Sequence, residues 1–353
     1  MTQPTINGIQ QVGIGVKDSR LAWDWYRKAF KMDVPIFQDS AEAKLMTKYT
    51  AGKVESRHAI LALNMQGGGG FEIWQYTSKT PSSPERHVQW NDLGILAVKI
   101  RCRDIQKTFE HLQSVGAKLL GKPSLNPIGV WHFFLKDPFD NLFEIEENQS
   151  WFSKNKDLTG GVSGVVIGVS SIEKALPVYQ KNLHQSAILI DKTDKWEDFK
   201  ALPEGEGAYH RVILQSSAIP SGAFSKLFCQ NTIELIESKD SKGVKIFENR
   251  NWGDLGFIHV CFDVNHMDSL KENLKKSGFP MTVDSQNEFD MGAAAGRFAY
   301  IEDPDGTLIE MVETFKIPIL EKWGWFLNLK KRKSTGPLSN LFVKLLSLNR
   351  VNS

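Results

Sequence analysis

Apolar residues along the chain fall into one pattern that recurs four times. Each recurrence begins with a short run rich in β-branched side chains: Ile9 to Asp18, Leu93 to Asp104, Val162 to Ser171 and Leu255 to Val264. Their length and composition predict strands. Behind the first run Leu21, Ala22, Trp25, Tyr26, Ala29 and Phe30 recur at helical spacing, with Asp18 placed to cap the helix. The second and fourth helical stretches end in SVGA and KSGF, where Gly116 and Gly278 can take the left-handed conformation that stops a helix. Every unit then returns to strands, and its closing strand sets a glutamate among apolar neighbours: Glu72, Glu144, Glu234 and Glu310. In units two and four that strand follows KDPFDN and EDPDGT, turn chemistry suited to a hairpin. Each quarter therefore reads as βαβββ, and the fold class as α+β.

The units group in sequence as a first domain over 1–150 and a second over 151–315, with the polar stretch from Asn148 to Gly161 as the connection. Charge separates a third segment, 316–353. There eight basic residues stand against one acid, a local +7 that leaves the rest of the chain at −5 within a net charge of +2. This tail joins Trp323, Trp325 and Phe326 to Lys330–Lys333 and then to the apolar run Leu341 to Leu348. It reads either as a strap on the protein's own surface or as a peripheral contact for an anionic membrane or acidic partner. Nucleic acid is not an expected partner, because no second basic patch or stacking platform is present. No run approaches a bilayer span and no basic start precedes an apolar stretch, so a cytoplasmic protein is expected. Cys102, Cys229 and Cys261 are too few and too scattered for a disulfide framework or a thiolate zinc site. They read as reduced, buried thiols. Gly67 to Gly70 lacks the Lys-Ser/Thr of a phosphate loop and reads as a flexible connection. Ile190 to His210, an insertion in unit three, is long enough for a lid or a surface loop.

Four βαβββ units, the D-P-x-D-G type of turn and a glutamate on each closing strand resemble the vicinal-oxygen-chelate superfamily. That group includes glyoxalase I, extradiol dioxygenases and bleomycin-binding proteins. The resemblance covers nearly all of residues 6 to 313. It implies two domains, each a pair of units forming a cup-shaped mixed sheet, with metal ligands drawn from the first and last strands.

On that basis unit one offers Gln11 and Glu72, unit two Ala97 and Glu144, unit three Gly164 and Glu234, and unit four His259 and Glu310. If units one and four share a site, the set is Gln11, Glu72, His259 and Glu310, a pattern similar to that of some glyoxalase I enzymes. If units three and four pair, it is Glu234, His259 and Glu310. The first is preferred because it yields one complete set. Either would suit one divalent ion of the Zn, Ni, Co or Mn type and spares a buried carboxylate its desolvation cost. Glu144 is set aside as a solvent-facing strand residue because Glu146 shares its face. A one-residue slip would put Gln10 in place of Gln11.

The resemblance implies a divalent-metal-dependent lyase or isomerase, moving a proton next to a carbonyl of a small metabolite through an enediolate. Glu310 is the expected base and Glu72 the second choice. His58, His210 and Arg211 are candidate substrate contacts. A metal-free small-molecule binding or sequestering protein of the bleomycin-resistance type is the alternative. Ring cleavage is disfavoured, because Gly164 stands where extradiol dioxygenases of the family carry a histidine.

Overall fold

The computed structural model describes residues 3–351, apart from 154, 156, 217–220, 287–288, 291–294, 321–322, 331 and 333–335, with backbone only at 289–290. Three of the tail's basic residues, Lys322, Lys331 and Lys333, lie outside the described residues. Unit one comprises β1 (Thr5–Gly15), α1 (Ser19–Phe30), β2 (Val34–Glu42), β3 (Ser56–Leu63) and β4 (Gly70–Tyr76). Unit two comprises β5 (Gly94–Cys102), α2 (Ile105–Ser114), β6 (Lys118–Leu125), β7 (Trp131–Lys136) and β8 (Leu142–Glu147). In unit three β9 (Thr159–Gly168) and α3 (Ile172–Leu176) lead through a π-helical turn to β10 (Ala187–Lys195), β11 (Ala208–Gln215), α4 (Ser225–Phe228) and β12 (Thr232–Ser238). Unit four has β13 (Gly256–Asn265), α5 (Met267–Lys276), β14 (Val283–Asp284), β15 (Phe289–Asp290), β16 (Ala295–Glu302) and β17 (Leu308–Leu320). The tail adds β18 (Trp325–Asn328), α6 (Asn340–Lys344) and a 3₁₀ turn at Leu345–Asn349.

Local signals act as the sequence leads one to expect. The Asp18 carboxylate accepts from the amides of Arg20 and Leu21, and Asp104 does the same for Lys107. Gly116 and Gly278 end their helices at φ 83° and 86°.

Within each unit the opening strand runs parallel to its own closing strand and leaves its other edge open. That edge is satisfied by the opening strand of a different unit, antiparallel. The result is two curled sheets, ordered β14-β16-β17-β13-β1-β4-β3-β2 and β10-β11-β12-β9-β5-β8-β7-β6. Units one and four thus share one sheet, and units two and three the other. Each sheet draws one unit from either side of residue 150.

The helices tie the chain together differently. Tyr26 on α1 donates to Asp137 in the turn of unit two at 2.7 Å, and Tyr179 donates to Asp303 in the turn of unit four at 2.9 Å. Sequence neighbours are joined helix to turn, while their strands are joined across the halves. The helices and the facing sides of both sheets form one large core, including Phe71, Ile73, Val98, Val165 and Val260. Alternate residues on the same strands point the other way, into two concave faces.

The glycine run does not behave as a flexible connection. Gly68 and Gly69 are buried and donate to Leu227 and Val162, and a Cβ on Gly68 would lie 2.7 Å from the Val162 carbonyl. Glycine is needed there for close backbone crossing. The tail packs as a strap. Leu338, Val343 and Leu346 are buried against the first sheet's concave side, and Asn349 and Val351 bond the carbonyls of Ile319 and Asp33.

Candidate metal centre

The β1–β13 seam runs down the middle of the first cup. Gly13 lies opposite both His259 on β13 and Glu72 on β4, and Cys261 lies beside Glu310 on β17. A Cβ on Gly13 would come within 2.4 Å of the His259 ring, so the imidazole can stand over the seam because residue 13 is glycine. Register alone therefore brings together four side chains from two units distant in sequence.

His259 Nε2 is 3.1 Å from Glu310 Oε2 and 3.4 Å from Glu72 Oε2, and all three are buried. One ligand atom from each lies within 4.8 Å of the others. Gln11 reaches the same point, its Nε2 3.4 Å from Glu310 Oε2. Among the described residues one buried atom here, Gln11 Oε1, lacks a hydrogen-bond partner, and His259 Nε2 faces only the two carboxylates. An imidazole nitrogen, an amide oxygen and two carboxylates converging on one point are a donor set that fits a divalent cation once the imidazole gives up its proton. Tyr300 closes the group from behind, its hydroxyl 3.4 Å from His259 Nδ1, where it can fix the ring with Nε2 facing the carboxylates.

The electrostatics set a competition at His259, because the carboxylates that would hold a cation also hold a proton on the imidazole, which a bound ion would displace. Burial works against protonation of His259, but Glu310 and Glu72 outweigh it and raise the imidazole pKa to about 9. Burial, and then the same two carboxylates, push the Tyr300 hydroxyl well up, so it stays protonated. Glu72, Glu310 and Gln11 form the polar floor of a cavity of about 240 Å³ with largely apolar walls.

Comparison with known proteins places this architecture. Residues 8–145 match the Glyoxalase/Bleomycin resistance protein/Dioxygenase superfamily, a span covering the first two units. That span is less than half of the chain, and over it the sequence is similar to members of that superfamily. Glyoxalase I from Zea mays aligns over 88% of this chain and 93% of its own, with TM-score 0.55 and 14% identity. A proposed dioxygenase from Bacillus subtilis aligns over 88% of this chain and 86% of its own, with TM-score 0.58 and 12% identity. At such identities the likeness is one of fold. No curated protein matches the chain in sequence.

Other residues singled out in the sequence lie away from this centre. Glu234 sits on β12 in the second cup, 2.6 Å from Lys99 Nζ and 2.5 Å from Arg211 Nε. It takes no part with His259, because units three and four contribute to different sheets. Arg211 is fully buried between Glu234 and Asp198, and His210 pairs with Asp191. His58 accepts from or donates to Ser19 Oγ at 2.9 Å and does not line the cavity. The pleat turns its neighbour Arg57 inward instead. Glu144 is not solvent-facing. It is fully buried, 3.1 Å from Lys99 Nζ and 2.6 Å from His132 Nδ1.

The insertion of unit three does not cover the His259 centre. Trp196, Phe199 and Leu202 pack into the concave face of the second sheet against Trp90, Ala97, Phe134 and Val166. Sequence reasoning missed this plug, and it missed Lys99 and Arg57. A lysine inside the apolar run ILAVKI was the available signal, since a buried ammonium requires acidic partners. Among the described residues no helix is long and apolar enough to cross a membrane.

Proposed function

We propose that the chain is a divalent-metal-dependent lyase or isomerase of the glyoxalase type, acting on a carbon acid next to a carbonyl. The observation that carries this reading is the convergence of Glu72, His259, Glu310 and the unpartnered Gln11 Oε1 on one point at the floor of an apolar cavity. A divalent ion held by these four would supply Lewis acidity toward a substrate carbonyl. Glu310 is the group to move the proton, with Glu72 on the opposite strand as the second carboxylate able to do so. Gln11 and Tyr300 orient Glu310 and His259 respectively. Trp74 and other apolar side chains line the cavity beside these groups, which strengthens the charge interactions made there.

A metal-free binding protein is the second reading. It is favoured by one feature: a protonated His259 between Glu72 and Glu310 already offsets much of their charge without any ion. Metal titration separates the two. The enzyme reading expects one tightly held Zn²⁺, Ni²⁺, Co²⁺ or Mn²⁺ per chain, lost in His259→Ala. Failure of all four ions to bind the purified protein would leave only the binder.

A further inference from the structure

The C-terminal strap has an inner and an outer face, and packing of the fold explains only the inner one. Leu338, Val343 and Leu346 are buried against the first cup. Other apolar side chains of the same segment point outward. Trp323 and Leu341 are the two most exposed large apolar residues among those described, at 83% and 72%, and Trp325, Phe342 and Leu348 are exposed as well. A single apolar side chain in water needs no explanation, but five within residues 323–348 do.

Pairing holds parts of this face together. β18 runs antiparallel to the last part of β17 and sets Trp325 opposite Leu320, while Asn349, next to Leu348, donates to the Ile319 carbonyl at 3.2 Å. Trp325 and Leu348 therefore stand at the same end of one strand. The segment is also cationic. Five of its eight basic residues lie among the described ones: Lys316, Lys330, Arg332, Lys344 and Arg350. Lys330, Lys344 and Arg350 are exposed, and Arg350 lies 3.5 Å from Asp33. Lys316 and Lys330 sit over the rings of Phe326 and Phe315 at 5.0 and 4.2 Å, an arrangement that leaves each ammonium its charge. Since the rest of the chain is net negative, the positive excess belongs to this segment.

Exposed indoles and aliphatic side chains set among lysines and arginines match a bilayer interface. Its headgroup layer takes indole rings, its acyl boundary takes leucine and phenylalanine, and its anionic lipids attract basic groups. An acidic protein surface would satisfy the charges. Apolar side chains spread over a strand, a helix and a turn suit a deformable apolar layer better than one fitted pocket.

We propose that the outer face of the C-terminal strap docks the protein on anionic lipid bilayers. Trp323, Trp325, Leu341, Phe342 and Leu348 enter the headgroup layer and acyl boundary, and the basic residues meet the lipid phosphates. Leu346 of the same strap lines the cavity, so docking seats the first cup beside the lipid surface. The docking does not depend on whether the His259 centre holds a metal.

The test is co-sedimentation of the full chain with vesicles of phosphatidylcholine alone and of phosphatidylcholine mixed with phosphatidylglycerol, with polyglutamate-coated beads as a second anionic probe. Each basic side chain near an anionic surface contributes about fivefold, so the mixed vesicles should bind at least about tenfold tighter than the neutral ones. Raising salt from about 0.1 M to about 0.5 M should remove most of that preference. Trp323→Ser combined with Leu341→Ser should weaken binding to the mixed vesicles by about tenfold or more. Both side chains are exposed, so the thermal midpoint should stay as in the parent. Lys330→Gln combined with Lys344→Gln should weaken the same binding and spare the small affinity for neutral vesicles. Equal binding to the two kinds of vesicle overturns the proposal. So does retention on polyglutamate as strong as on the mixed vesicles and unchanged in the double serine variant, which would assign the face to an acidic protein instead.

Discussion

The two cups keep the same pair of glutamates and differ in what faces them. Glu72 and Glu310 in the first correspond in unit position to Glu234 and Glu144 in the second. Cys261 pairs with Glu310 in the strand register where Lys99 pairs with Glu144. At the neutral ligand positions the first cup has His259 and Gln11, and the second has Ala97 and Gly164. Lys99 places its ammonium 2.6 Å from Glu234 and 3.1 Å from Glu144, Arg211 pairs with Glu234, and the His132 ring lies 2.6 Å from Glu144. Burial opposes ionisation of Glu144, but Lys99 and His132 overcome it and hold the carboxyl far below its usual range. The plug formed by Trp196 and Phe199 then fills the space above. A pair of buried carboxylates needs positive charge. One cup carries that charge on a lysine and an arginine and is packed shut, whereas the other has only the titratable His259 between its carboxylates and keeps a cavity.

The contrast can be broken most sharply at Lys99. Lys99→Met leaves Glu144 and Glu234 without their shared cation, and removing one partner of such a network costs about 3–5 kcal/mol. Urea unfolding at neutral pH should register that loss, while divalent-ion binding at the first cup stays as in the parent. Undiminished stability would mean that Arg211 and His132 suffice. His259→Ala should act in the opposite sense, leaving the second cup untouched. Ion affinity should fall by more than about a hundredfold, since even supporting residues around a metal cost ten- to hundredfold. Chelator competition measures this, and Glu234→Gln, located in the other cup, should leave the affinity unchanged.

The tyrosine ties offer a smaller effect with a pH signature. Burial raises Asp137 and Asp303 to about 6 from 3.8, against the hydrogen bonds from Asn141 and Tyr26 in one and from the Thr307 amide and Tyr179 in the other. Because the folded pKa lies above the unfolded one, the protonated acids favour the fold. That contribution is fully present below about pH 4 and is lost as pH rises through about 6. Tyr26→Phe removes a donor to Asp137 and should cost about 1–3 kcal/mol, more at pH 8 than at pH 5. Denaturant midpoints at the two values check the sign; a larger loss at pH 5 would contradict it. The smallest effect belongs to His58→Ala. That side chain is bonded to Ser19 and lies outside the cavity, so metal affinity should change by less than about twofold, the scale of an ordinary surface substitution.

Much of this was legible in the chain itself. Local physics writes a helix start at Asp18, helix ends at Gly116 and Gly278, and strands in the four β-branched runs, so the repeated βαβββ unit could be read directly, while the cup-shaped sheets followed from its resemblance to a known family. The sequence also singled out Gln11, Glu72, His259 and Glu310, because superposing like units exposes which positions retain a donor. It did not determine that β1 would pair with β13, and hence that these four would meet while Glu234 would not. An open strand edge presents the same backbone donors and acceptors to any suitable partner, and closure of the whole chain selects among them. Nor did it determine the fate of charged residues inside apolar runs. Lys99, Glu144 and Arg211 are buried because tertiary packing supplies each with a counter-charge, and no local pattern records which charge will be waiting across the sheet.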